Sequence, residues 1–108
     1  MSAESELIVV LCTVPDGPTA EKLAKGLVDE RLAACVNAIP GVKSFYRWQG
    51  ELEVDEEIQL VIKTRRGRFD ELAAWIKANH PYEVPEIIAI PAPEVSQDYL
   101  AWAVEQTS

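Results

Sequence analysis

From Glu51 onward the chain alternates apolar and polar residues for longer than a small domain requires of one strand. Leu52, Val54, Ile58, Leu60 and Ile62 take one face; Glu51, Glu53, Asp55, Glu57, Gln59 and Lys63 take the other. A period of two predicts a strand with one buried face. At about 3.4 Å per residue the run reaches roughly 45 Å, well beyond an ordinary strand. The surplus must project from the domain and pair with something. Val61 breaks the polar side and Glu56 the apolar one. Glu56 marks a bulge, a salt bridge between subunits or a ligand contact.

The elements around this strand follow from shorter patterns. Leu7 to Val14 is almost continuously apolar and ends at Pro15-Asp16-Gly17-Pro18. A run that does not alternate predicts a strand buried on both faces. Pro18 suits the first turn of a helix, and Ala20, Leu23, Ala24, Leu27 and Val28 form one apolar stripe that predicts a helix to about residue 33. A second strand is expected from about Ala34 to Trp48, interrupted near Pro40-Gly41, with a tight turn at Gln49-Gly50. Phe69, Leu72, Ala73 and Ile76 mark a second helix that stops near Asn79, because Pro81 forces His80 into extended geometry. A short strand from Glu86 to Pro91 and a last helix capped by Ser96 complete the order.

That order is β-α-β-β-α-β plus a helix. It predicts an α+β fold, a ferredoxin-like split βαβ sandwich with a long β-hairpin and an added C-terminal helix. Both helices of the repeat cover one sheet face. The first strand is nevertheless apolar on both sides, so the other face needs a cover too. The last helix supplies part of it, and neighbouring subunits the rest; an obligate oligomer is expected.

Composition narrows the function. The 108 residues fit one domain, with residues 1–6 expected to be disordered, and 48% are hydrophobic, enough for a core. The net charge of −8 argues against nucleic acid and anionic membrane, which attract basic surfaces. It suits cations. Cys12 and Cys35 are too sparse for a disulfide-stapled secreted domain, and residues 1–6 lack a signal-peptide pattern. No apolar run is long enough to span a bilayer. A cytoplasmic location is expected.

Six segments then appear in order: Cys12-Thr13-Val14-Pro15, Leu32-Ala33-Ala34-Cys35-Val36-Asn37, Tyr46-Arg47-Trp48-Gln49-Gly50, Ile62-Lys63-Thr64, His80-Pro81-Tyr82-Glu83-Val84-Pro85-Glu86-Ile87 and Tyr99-Leu100-Ala101-Trp102. Together they resemble the CutA family of divalent-cation tolerance proteins. The resemblance implies a ferredoxin-like subunit in a tight homotrimer, assembled partly by strand pairing between subunits. It also implies a role in tolerance of divalent metals, with copper described for bacterial members, and brings no settled enzymatic reaction. The family's metal pattern carries over onto Cys12 and His80. Asn79 stands where the family has a preceding His, and an amide is a poorer copper partner than imidazole.

The topology itself brings the end of the first strand, the hairpin and the end of the second helix to one edge. Cys12, His80, Glu83, Glu86 and the acidic run from Glu51 to Glu57 gather there. A thiol, an imidazole and carboxylates suit a soft or borderline cation. Plainer readings stand beside this one. Cys12 and Cys35 fit as small core residues, His80 as a helix terminus, and the acidic run as the solvated face of a strand. The basic residues Lys63, Arg65, Arg66 and Arg68 either hold an anion at the next helix or only balance charge. The aromatics read first as core or interface residues.

Two function classes follow, besides catalysis. The first is a non-enzymatic homotrimer that binds copper or another divalent cation through Cys12 and His80, with no cofactor required for folding. The alternative is a trimeric sensor of a small metabolite, bound in clefts between subunits, where Glu57, Lys63, Glu83 and Glu86 supply charge. An enzyme is disfavoured: a single histidine, no Ser-His-Asp set and no HExxH motif leave few routes to acid–base catalysis.

Overall fold

In the computed structural model, which describes residues 6–108, β1 (Leu7–Val14) leads into α1 (Gly17–Asp29) and then β2 (Cys35–Trp48) and β3 (Glu51–Arg65). A 3₁₀ turn at Arg66–Arg68 precedes α2 (Phe69–Asn79), β4 (Ile88–Pro91) and α3 (Gln97–Gln106). The strands pair antiparallel in the order β2-β3-β1-β4. This is the ferredoxin-like arrangement, with α3 added after it. The expected disorder of residues 1–6 lies outside the described residues except at Glu6, whose carbonyl accepts the Arg66 N–H at 2.8 Å.

Local chemistry sets the ends of the elements. The Asp16 carboxylate accepts the Thr19 N–H at 2.9 Å, an N-cap whose hydrogen bonds with Thr19 hold that carboxyl below its usual range. The helix was expected to run to about residue 33 and instead stops at Asp29. Arg31 takes φ 59°, its N–H bonds Val28 O at 3.1 Å, and Leu32 N bonds Leu27 O at 2.9 Å. That pair of bonds is a Schellman motif, and it turns Leu32 and Ala33 back into the core. At the hairpin, Gln49 and Gly50 have φ 50° and 84°, the two positive values a two-residue type I′ turn needs.

β2 is not broken at Pro40-Gly41 but bulged, its register to β3 shifting between Ile39 and Val42. β3 runs straight, so Glu56 marks no bulge of its own; it stands opposite Lys43. The hairpin stretches the molecule to 49 × 25 × 23 Å.

Register sorts the side chains. Ile8, Val10, Cys12 and Val14 of β1, with Leu60 and Ile62 of β3, face α1 and α2 and form the core with Leu23, Leu27, Leu72 and Ile76. Each of these large aliphatic side chains, fully buried, contributes about 1.5–3 kcal/mol. The opposite face is only partly covered. α3 packs Ala103 against Leu7 and Ala34, a small separate cluster. Farther along that face Ile88 and Ile90 are 50% and 45% exposed, beside half-buried Val9, Leu11 and Val61.

Three arginines fix α3 where it lies. Arg65 Nη2 and Arg68 Nε donate to Thr107 O at 2.9 and 2.8 Å, and Arg31 Nη1 donates to Gln106 O at 3.3 Å. Cations at a helix C-terminus satisfy its last carbonyls and complement its dipole. Half of the basic cluster is therefore spent inside the fold, away from any anion.

Helix α1 meets α2 at Gly26, where an added Cβ would lie 2.3 Å from Trp75 Cη2. Gly26→Ala is expected to lower the melting temperature, because overpacking costs about 1–3 kcal/mol against a helix-propensity gain of about 1. In a Trp75→Ala background the same change should raise it. The double variant Arg65→Ala/Arg68→Ala should lose about 2 kcal/mol in urea unfolding through uncapping of α3.

Candidate functional site

The site begins at the carbonyl of Thr13, near the end of β1. His80 ends α2 in an extended conformation, φ −89° and ψ 139°, as a residue before proline must. Its Nε2 lies 2.8 Å from Thr13 O and its Nδ1 accepts the Tyr82 N–H at 3.0 Å. A carbonyl can only accept and an N–H can only donate, so these partners assign the neutral tautomer with hydrogen on Nε2. Cys12 Sγ reaches the same carbonyl at 3.8 Å. Cys12 and His80 thus share one acceptor, and both are buried. Burial, then the charges of Glu86 and Glu57, push the Cys12 thiol up from 9.0 to about 12.

The rigid loop after His80 carries Tyr82 over the sheet face that lies away from α1 and α2. Its hydroxyl donates to Glu57 Oε2 at 2.6 Å, and the two rings of His80 and Tyr82 stand 4.7 Å apart. Burial and that hydrogen bond raise the Tyr82 phenol. Glu57 is 6% exposed, so the end of the acidic run is not a solvated surface but an anchored carboxylate. Beside it, Gln59 Nε2 donates to Cys12 O at 3.3 Å and to Glu86 Oε1 at 3.4 Å. On the hairpin, Tyr46 donates its hydroxyl to Asp55, which raises its own phenol to about 12.

These side chains border a cleft of about 540 Å³ between the hairpin and the loop. Glu57, Glu83 and Glu86 line it, together with Tyr46, Trp48 and Tyr82. Three of the four expected auxiliary residues therefore meet. Lys63 does not: it lies farther along β3 and donates to Asn37 across the strand pair. Among the described residues, no three His, Cys, Asp or Glu side chains converge closely enough to hold a metal ion. Thr13 and Gln59 carry no functional signal of their own in the sequence, and Tyr82 reads there as a core or interface aromatic. A tyrosine between two prolines, with a buried hydroxyl needing an acceptor, was the available signal.

The thiol yields a prediction. Cys12 should resist iodoacetamide at pH 8 in the folded protein and react once urea unfolds it, as read by peptide mass spectrometry. Because its pKa is raised on folding, its contribution is full below pH 9.0 and is lost as pH climbs toward about 12. The urea midpoint should therefore fall more between pH 8 and 10.5 in the wild type than in Cys12→Ala.

With this geometry described, the chain can be set beside known proteins. Residues 8–106 match the family model described as CutA1 divalent ion tolerance protein. The divalent-cation tolerance protein CutA of Thermus thermophilus is 52% identical over 99 residues, covering 92% of this chain and 96% of that one. The chloroplastic CutA of Arabidopsis thaliana is 46% identical, covering 93% of this chain and 55% of that protein. The Thermus thermophilus structure superposes with a TM-score of 0.91 at 51% identity, covering 94% of this chain and 99% of that one. The periplasmic CutA of Archaeoglobus fulgidus superposes equally well, 0.91 at 37% identity, over 94% and 99% of the two chains. By sequence match and by fold, the chain belongs to the CutA1 divalent ion tolerance family.

Proposed function

We propose that this chain works as a non-catalytic, cytoplasmic homotrimer that binds a divalent cation, copper first, through Cys12 and His80. The observation that carries the reading is the meeting of Cys12 Sγ and His80 Nε2 at the single carbonyl of Thr13. A thiol and an imidazole are the soft and borderline donors that copper selects. Two free cysteines fit a reducing compartment, and the bare face with Ile88 and Ile90 gives a reason to assemble.

The residues fit the metal at a cost. Ligation needs the thiolate, so the metal must displace a proton held at about pKa 12. It also needs the lone pair of Nε2, which moves the ring hydrogen to Nδ1 and turns it against the Tyr82 N–H. One chain offers two such ligands, and a neighbour would have to add more. The same ring is doubly bonded and the thiol protonated, which leaves neither poised as a general base or nucleophile.

A second reading is favoured by the cleft beside Glu57, whose volume and mixed walls suit a small metabolite. Sedimentation equilibrium should give three times the 12.0 kDa chain mass. Copper calorimetry should show heat for the wild type and none for Cys12→Ala/His80→Ala; indistinguishable isotherms would remove the metal site.

A further inference from the structure

We infer, resting on the metal reading proposed above, that His80, Tyr82 and Glu57 form a latch that must open before His80 can ligate. Tyr82 is no ligand in this scheme. It is the residue that holds the affinity of the Cys12–His80 pair down.

The chain itself occupies both nitrogens of the His80 ring. Nε2 donates to Thr13 O at 2.8 Å, and Nδ1 accepts the Tyr82 N–H at 3.0 Å. A neutral imidazole has one lone pair to give, and Tyr82 already takes it. Coordination through Nδ1 displaces the Tyr82 N–H directly. Coordination through Nε2 moves the ring hydrogen to Nδ1, where it meets the Tyr82 N–H donor to donor, and Thr13 O loses its donor as well. Either route breaks the bond to the Tyr82 amide.

The break does not stay at the amide. Tyr82 lies between Pro81 and Pro85, whose fixed φ angles make the segment stiff, so a shift of its backbone carries the side chain along. That side chain stands 4.7 Å from the His80 ring and donates its hydroxyl to Glu57 Oε2 at 2.6 Å. Glu57 and His80 are both buried, and a buried group stripped of its partner costs more than the bond contributes when made. Gln59 holds Glu86 at 3.4 Å and so steadies the far end of the loop. Every one of these bonds lies within one chain. The closed loop and a ligated His80 therefore exclude each other, and the observed affinity is the intrinsic one reduced by the fraction of molecules unlatched. Linkage is reciprocal: weakening the latch tightens binding.

Cuprous ion is the probe, given to the assembled protein under reducing, anaerobic conditions and partitioned against bicinchoninate as a competing chelator. Being diamagnetic, it also lets NMR follow the Tyr82 amide in the same samples. Tyr82→Phe keeps the ring and removes the hydroxyl. It should bind about tenfold more tightly than the wild type, the scale of one charge-assisted hydrogen bond. Tyr99→Phe, which removes a phenol on α3, should bind as the wild type does. In the wild type, loading should speed hydrogen–deuterium exchange at the Tyr82 amide, whereas a site that is only stiffened would slow it. Binding by Tyr82→Phe but not by the wild type would show the same latch held more tightly shut. Equal affinity of Tyr82→Phe and wild type overturns the latch, and so does a Tyr82 amide that stays protected in the loaded protein. In both cases the metal reading still stands if Cys12→Ala/His80→Ala fails to compete with the chelator. Binding by neither wild type nor Tyr82→Phe ends both.

Discussion

The central place of β1 is the constraint on which the rest depends. It pairs with β3 on one side and β4 on the other, so neither of its edges is free. Its two parities then have different fates. Ile8, Val10, Cys12 and Val14 enter the core under α1 and α2. Leu7 meets α3, and Val9 and Leu11 look onto the face that α3 leaves bare. A register slip of one residue would exchange these sets and destroy the core. The same parity carries Glu57 and Gln59 of β3 onto the bare face, where the 80–87 loop can reach them.

The site grows from that placement by hydrogen bonding. Thr13 is the penultimate residue of β1, and its carbonyl receives His80 Nε2 at 2.8 Å. His80 in turn holds the Tyr82 N–H, and Tyr82 holds Glu57. Four residues from the first strand, the third strand and the loop are thereby tied in one chain of bonds. Removing any middle member leaves a buried polar group without its partner, which costs more than the bond contributes when made. The loop between Pro81 and Pro85 is held by this series as much as by its prolines.

Patterns of local origin were legible in the sequence. The alternation after Glu51 places β3, Pro81 ends α2 at Asn79, and the Ser96 hydroxyl caps α3 at Tyr99 as expected. What was hidden depended on distant partners. Glu57 reads as one more acid on a wet strand; its burial comes from Tyr82, 25 positions along the chain. Arg65 and Arg68 read as a basic surface, and their partner Thr107 is about 40 residues away, a separation no local period encodes. The end of α1 was misplaced because Arg31, a residue with a Cβ, adopts the left-handed conformation that glycine usually marks. For the candidate site, the resemblance points to Cys12 and His80 and the topology brings Glu57, Glu83 and Glu86 to the same edge, whereas the shared carbonyl of Thr13 is a backbone atom and leaves no mark in composition.

The proportions of the molecule bear on assembly. A 49 Å hairpin axis on a body about 25 Å across carries Phe45, Trp48, Leu52 and Val54 past the helix layer, with exposures from 39% to 69%. Ile88 and Ile90 expose the opposite sheet edge. Two apolar regions at different places on one chain suit the head-to-tail trimer proposed above. They favour a contact in which the hairpin of one copy meets the edge of the next. Repeated with a closing rotation, such a head-to-tail contact makes a ring. Three copies, the number proposed above, make a small ring of that kind. The cleft lies where the hairpin leaves the body, so its walls and the assembly surface share Tyr46 and Trp48. Binding in that cleft and association of the chains would therefore act on the same side chains.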